Sequence, residues 1–222
     1  PLASKECYEL DNLASEKNLI YQVGYMKRHD NGVNLFKKYL WDKQKRKEYG
    51  ELQLIRIWCF CGDWLYGMKP PITTDEKPPQ YKSGNYPVWM PKEYYPLYNR
   101  LLNLETHLTN LLRYLIEEDF SLEYVSYKSY ENFIIIAVTE SKVKVVFECG
   151  NHSPSYKWHD GIEFYFKNAT LKIESPPPMA KQSSANIEIH LAGKEQKVLR
   201  PLPKPGWAFM NQAKHFLRSV GK

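Results

Sequence analysis

Between Phe133 and Leu191 apolar residues return at every second position in one segment after another, and this alternation constrains the fold more than any other feature. Val143, Val145, Phe147 and Cys149 alternate with Lys144 and Glu148, and Ile162, Phe164 and Phe166 alternate with Glu163 and Lys167. Leu171 and Ile173, then Ile187, Ile189 and Leu191, continue the pattern. A period of two places alternate side chains on opposite faces of a strand, so each segment is predicted to be a strand with one apolar face. Phe133 to Val138 is apolar throughout and predicts a strand covered on both faces. Short turns between the segments predict mostly antiparallel pairing. Leu52 to Cys61 adds a long strand with two apolar faces, as for a central position in a sheet.

Helical spacing frames these strands. Ser4 is placed to cap a helix ending near Asn18, with Cys7, Leu10, Leu13 and Ala14 on its apolar face. Leu19 to Val23 reads as a buried strand stopped by Gly24, and a second helix follows with Val33, Phe36 and Leu40 on one side. Helix, strand, helix is the rhythm of an α/β layer. From Gly62 to Pro96 the chain is rich in proline and aromatic residues without periodicity, which predicts a long excursion forming a lid or wall. It leads into a helix over 98–116. There Leu101, Leu104, Leu108, Leu111, Leu112 and Leu115 form an apolar stripe beside a polar one of Asn103, His107, Asn110 and Tyr114. A histidine with an amide one turn before it to orient the ring suits general acid/base work near neutral pH. The same spacing also suits a histidine that merely packs. Proline-rich residues 201–205 separate the strands from a final amphipathic helix, Trp207 to Val220.

The remaining features mostly exclude. A chain of 222 residues is enough for one large domain, and no apolar run of membrane-spanning length occurs. Cys7, Cys59, Cys61 and Cys149 are too scattered for a disulfide framework, and Cys59 with Cys61 lacks a second ligand pair for zinc, so reduced thiols and a cytoplasmic location are expected. The net charge of +6 gathers partly in Lys37, Lys38 and the run from Lys43 to Lys47, a pattern of a solvated helix end rather than of a nucleic-acid site. No two glycines are spaced as a Gly-x-Gly-x-x-Gly phosphate cradle requires. Gly62 to Lys69 has the glycine spacing of a P-loop but places Met68 where lysine belongs. Asn151 and Asn168 open formal glycosylation sequons that chance explains. His152 and His159 flank an aromatic stretch without further metal ligands, and read as imidazoles on a turn.

Several segments together resemble one family. Pro1 to Ser4 followed by a capped helix, then Val23 to Asp30, is similar to the last third of the nucleotide-binding domain in the Gfo/Idh/MocA oxidoreductases, the glucose-fructose oxidoreductase and inositol dehydrogenase family. Leu102 to Tyr114 looks like the helix on which that family carries an Asp and, four residues on, its catalytic His. Glu148 to Pro154, Ile162 to Phe166, and Trp207 with Gln212 extend the resemblance along nearly the whole chain.

The resemblance implies an α/β protein cut at both ends. Residues 1–32 are expected to be the remnant of a Rossmann domain binding NAD or NADP. Residues 33–205 are expected to form an open, mostly antiparallel sheet with helices on one face, and 206–222 a truncated helix. The activity implied is hydride transfer between NAD(P) and a sugar-like or polyol substrate, with His107 relaying the hydroxyl proton and Asn103 standing where the family has its carboxylate. An amide orients imidazole but does not stabilise imidazolium as a carboxylate does, so a non-catalytic carbohydrate-binding or scaffold protein on the same fold is the competing reading. Pro1, Tyr25 and Arg28 are implied neighbours of the cofactor, and Trp89 and Tyr98 are expected by position as pocket walls. The bare sheet face implies a homo-oligomer.

Overall fold

The computed structural model describes residues 3–62, 64–65, 74–77, 86–129, 131–151 and 158–221. Its centre is one eight-stranded sheet in the order β2-β3-β4-β1-β5-β6-β7-β8. The strands are β1 (Leu52–Cys61), β2 (Phe120–Ser129), β3 (Asn132–Thr139), β4 (Lys144–Asn151), β5 (His159–Phe166), β6 (Ala169–Glu174), β7 (Asn186–Leu191) and β8 (Lys197–Leu199). Pairing is antiparallel except between β1 and β4, which run parallel with Cys59 opposite Cys149. The alternating segments therefore became strands with the expected pairing, and β1 took its central place. Strand β8 is an addition: Lys197, Val198 and Leu199 carry too short a pattern to announce themselves.

One face is closed by two helices, α2 (Asn31–Trp41) and α5 (Thr106–Ile116). Phe36 and Leu40 of α2 and Leu108, Leu111, Leu112 and Leu115 of α5 join Ile55, Ile57, Val145, Phe164, Leu171 and Ile189 in one buried core. Burying each such side chain contributes roughly 1.5–3 kcal/mol, which fixes the register because a one-residue slip would turn the set outward. Gly32 lets α2 approach β7, since a Cβ there would lie 2.2 Å from the Ala185 carbonyl oxygen.

The opposite face has no helix on it among the described residues. Arg56 donates two bonds to Glu148, at 2.7 and 2.8 Å, and Tyr165 donates to Glu163 at 2.6 Å. Beside them Ile134 is 43% exposed, which corrects the expectation that Phe133 to Val138 is covered on both sides: Phe133 and Ala137 reach the core, but the described residues leave Ile134 open to solvent. Trp58 is the exception on this face. It is buried because Gly161 leaves room for its ring, which a Cβ would meet at 2.5 Å.

The first residues pack least. Helix α1 (Ser4–Glu16) has Ala3 at its N-cap rather than the expected Ser4, buries no residue, and ends just before Asn18, whose φ of 51° is a left-handed stop. Leu19 to Val23 was expected as a buried strand. It is instead irregular and exposed, Leu19 by 67%, because among the described residues no strand lies beside it to accept its backbone bonds. A short 3₁₀ turn, Met26–His29, then leads to Asp30. At the far end α6 (Ala208–Val220) packs back on that turn, where Asn211 donates to the His29 carbonyl at 2.9 Å. Two short helices, α3 (Lys43–Tyr49) and α4 (Tyr95–Arg100), flank β1 in sequence. Of the predicted lid, residues 63, 66–73 and 78–85 lie outside the described residues. Among the described residues no helix is long and apolar enough to cross a membrane.

Candidate active site

Asp30 fixes the approach to the site. Its Oδ1 accepts from the backbone N–H groups of Gly32, Val33 and Ala185, at 2.7, 3.2 and 2.9 Å, so one buried carboxylate caps α2 and ties it to the start of β7. The 3₁₀ turn is thereby held with two neighbouring cations aimed apart. Arg28 donates to Asn110 Oδ1 at 2.5 Å and lies over the Tyr114 ring, which clamps the turn to α5. Lys27 enters the interior, where its Nζ donates to Asp160 Oδ2 at 2.7 Å and to Ser175 Oγ at 3.0 Å.

Asp160 is legible once the register is known. Ile162, Phe164 and Phe166 face the core, and the period of two brings Asp160 onto the same inward face, opposite Cys59 of β1. An acid there is 2% exposed. Its Oδ2 accepts a second bond from Trp158 Nε1 at 2.9 Å, while Oδ1 has no partner among the described residues. An unpartnered buried acceptor costs about 1–3 kcal/mol, more when charged.

His107 reaches the same place from α5. The predicted continuous helix over 98–116 is interrupted by a π turn, Leu101–Glu105, between α4 and α5. The wider turn inserts a residue, a feature frequent at functional sites. Asn103 and His107 still line one cavity of about 300 Å³, together with Met26, Lys27, Trp158 and Asp160. Cys59, Trp64, Leu104, Pro178 and Phe209 complete its mostly apolar wall. His107 Nδ1 has no hydrogen-bond partner among the described residues, so an amide does not hold the ring at that nitrogen. The π turn changes the phase that a plain helix would keep between positions four apart. Burial first, and then the Lys27 ammonium, push the His107 pKa down to about 4, with Asp160 opposing. The imidazole is neutral at pH 7, able to accept a proton at one nitrogen and donate from the other.

The other predicted residues divide. Tyr25 lies beside His107, its ring edge-on with centroids 6.0 Å apart, and its hydroxyl pairs with Thr106 Oγ1 at 3.2 Å. Arg28 is spent on Asn110. Tyr98 is not among the residues lining the cavity; burial first, and then Cys7 and Glu6 of α1, raise its pKa, and its ring is 6.3 Å from that of Tyr86. Trp89 is 78% exposed and does not line the cavity. Pro1 and His152 lie outside the described residues. Sequence reasoning missed Lys27, Asp160 and Trp158. The signal for Asp160 was present, as an acid at an inward position of an alternating strand. Lys27 carried none, since Lys27 and Arg28 are adjacent and only the turn decides which one points inward. Cys7, Cys59, Cys61 and Cys149 are all free thiols. Cys59 and Cys61 bring their sulfurs to 3.6 Å.

No protein-family model matches the sequence, and no curated protein matches it in sequence. Solved structures do match in fold. A protein of Desulfitobacterium hafniense described as an NADPH-dependent oxidoreductase superposes with a TM-score of 0.70 at 12% identity, over 100% of this chain and 60% of that one. Aldose-aldose oxidoreductase from Caulobacter crescentus, solved with glycerol, gives 0.62 at 13% identity over 97% of this chain and 58% of that one. Scyllo-inositol dehydrogenase from Lactobacillus casei gives 0.58 at 14% identity over 99% and 59%. The chain therefore has the open-sheet α/β fold of these oxidoreductases, the fold that the Gfo/Idh/MocA resemblance implied. It spans about 60% of the length of the first of them.

Proposed function

We propose that the chain belongs to an NAD(P)-dependent oxidoreductase that exchanges a hydride between the nicotinamide and a secondary alcohol of a sugar or polyol. The observation that carries this reading is His107, a neutral imidazole on the wall of a cavity, one turn from Asn103 and beside a buried lysine and carboxylate. Its setting is a fold shared with sugar and polyol oxidoreductases. A bound nicotinamide supplies the hydride acceptor. Within this chain Tyr25 and His107 would border it. Arg28 is committed to Asn110, and the phosphate-cradling glycines are not part of this sequence. His107 takes the hydroxyl proton as the C–H bond is broken and the carbonyl forms, and returns it in the reverse direction. Apolar Met26, Leu104, Pro178 and Phe209 keep water from that transfer, and Trp64 and Trp158 offer flat walls to the C–H face of a sugar.

In this reading residues to about 32 are the last part of a nucleotide-binding domain, which exposed Leu19 to Val23 would join as a strand. Residues 33–205 form the substrate domain, and 206–222 close over the 3₁₀ turn. The uncovered sheet face, with exposed Ile134 and Tyr124, meets a second copy in a homo-oligomer working in the cytoplasm.

The test is fluorescence titration of the complete protein with NADH and NADPH, followed by turnover on sugars and inositols. Either nucleotide is expected to bind, and His107→Ala to lower turnover by about 10²–10⁴-fold. Absence of nucleotide binding removes the enzyme reading in favour of a carbohydrate-binding scaffold. Nucleotide binding without turnover until Asn103→Asp is introduced favours a scaffold derived from an enzyme.

A further inference from the structure

The cavity contains more acceptor capacity than the protein itself uses. Asp160 is 2% exposed, and both donors that reach it, Lys27 at 2.7 Å and Trp158 at 2.9 Å, go to the same oxygen. Two bonds from different directions fix the carboxylate plane, so the position of Oδ1 is set before anything binds. That oxygen is buried and unpartnered, as is His107 Nδ1, and both residues line the same cavity of about 300 Å³. A buried carboxylate oxygen accepts and never donates, so it discriminates for a ligand that brings an O–H or N–H. Lys27 neutralises the site and, with its ammonium turned to Asp160 and Ser175, leaves no free cation among the described residues that line the cavity to favour an anion there. The ligand it suits is neutral and hydroxylated, and the walls formed by Trp158, Met26 and Phe209 suit a ring with an apolar face.

We propose that Asp160 is a substrate-binding residue of this cavity, its Oδ1 accepting a hydroxyl of a sugar or polyol whose neighbouring hydroxyl meets His107. The inference rests on the reading of the cavity as a polyol site. It places the carboxylate of that site on β5, in the same lining as Asn103, where the helix itself carries only an amide. A polyol carries a hydroxyl for each of the two unpartnered atoms, and a compound without the hydroxyl that meets Oδ1 loses the bond to the charged acceptor.

The experiment is equilibrium binding of myo-inositol and of D-glucose to the complete protein, read by tryptophan fluorescence, with NADH titrated separately. At least one of the two is expected to bind, and Asp160→Asn to weaken it by about 10- to 100-fold while NADH affinity stays unchanged. Asp160→Asn leaves the Lys27 ammonium without its counter-charge, so the double variant Lys27→Met with Asp160→Asn is measured too. It removes both charges together and is expected to show the same loss. Equal sugar binding by wild type and both variants overturns the inference, as does failure of both sugars to bind a protein that binds NADH; in either case the oxidoreductase reading stands. Sugar binding that needs Asp160 in a protein that binds neither nucleotide upholds the inference and removes the oxidoreductase reading.

Discussion

Two ion pairs of nearly equal burial lie at the same end of the sheet, and they differ in what surrounds their spare atoms. Lys27 meets Asp160 at 2.7 Å with side chains 9% and 2% exposed, and Arg100 meets Glu105 at 3.2 Å with side chains 8% and 4% exposed. Arg100 and Glu105 are each bound by further groups. Arg100 Nη2 donates to the Gly150 carbonyl at 2.8 Å, its guanidinium lies 5.9 Å from the Phe133 ring centroid, and Glu105 is bonded to the Cys149 thiol. Around Lys27 there is a cavity with a histidine on its wall. Each carboxylate keeps one buried oxygen without a partner among the described residues, but Asp160 is also a lining residue of the cavity that holds His107, where a ligand can supply a donor. Burial of charge therefore does not by itself mark function; access to the unpaired atom does.

The largest effect expected from breaking this comparison is in Arg100→Met. It leaves Glu105 buried without its cation and should lower unfolding free energy in urea by about 3–5 kcal/mol. The loss should grow with pH. A carboxyl whose folded pKa lies above its unfolded value contributes stability at low pH that is lost as pH rises through the folded pKa, and removing the cation raises that pKa further. A flat dependence on pH would mean that Glu105 relaxes to solvent once Arg100 is gone.

His107 gives the opposite sign. Its folded pKa of about 4 lies below the ordinary 6.5, so its contribution is fully present above pH 6.5 and is lost as pH falls toward 4. The acid limb of wild-type stability should therefore lose up to about 3 kcal/mol across that window. In His107→Gln the limb should flatten, which chemical denaturation at a series of pH values would detect. A third buried carboxylate sharpens the contrast, because Asp30 receives neutral donors on the oxygen it uses. Asp30→Ala strands three N–H groups and should cost about 2 kcal/mol with no effect on the His107 titration.

How much of this was legible in the sequence differs between scaffold and site. Ile55, Ile57, Phe164, Leu171 and Ile189 advertise their strands because a period of two survives any tertiary context that covers one face. Asn103 and His107 reached one cavity because helical spacing is nearly as durable. The reading failed where the chain's neighbours decide. Leu19 to Val23 has strand residues with nothing among the described residues to pair with, and Ile134 has an apolar side chain that the described residues leave exposed. The phase between Asn103 and His107 depends on a π turn that no residue between Leu101 and Glu105 announces. The partnership of Lys27 with Asp160 spans 133 positions, and a long-range pair between a turn and a strand leaves no local pattern.

Lys27→Met is the smallest of these perturbations and the most discriminating. If the cavity around Asp160 admits water, the stranded carboxylate can be hydrated there, and Trp158 still donates to it. The stability loss should then be about 1 kcal/mol, well below that of Arg100→Met. The same substitution leaves burial, the first cause of the low His107 pKa, in place and removes the second, the Lys27 ammonium, so the imidazole pKa should rise part of the way from about 4, as followed by NMR of the ring protons. Asp160→Asn should move it the other way, because the carboxylate is the one group among the causes of the shift that favours the imidazolium. A large stability loss in Lys27→Met with an unmoved His107 would make the two ion pairs equivalent, and the cavity would then be a packing defect rather than a site.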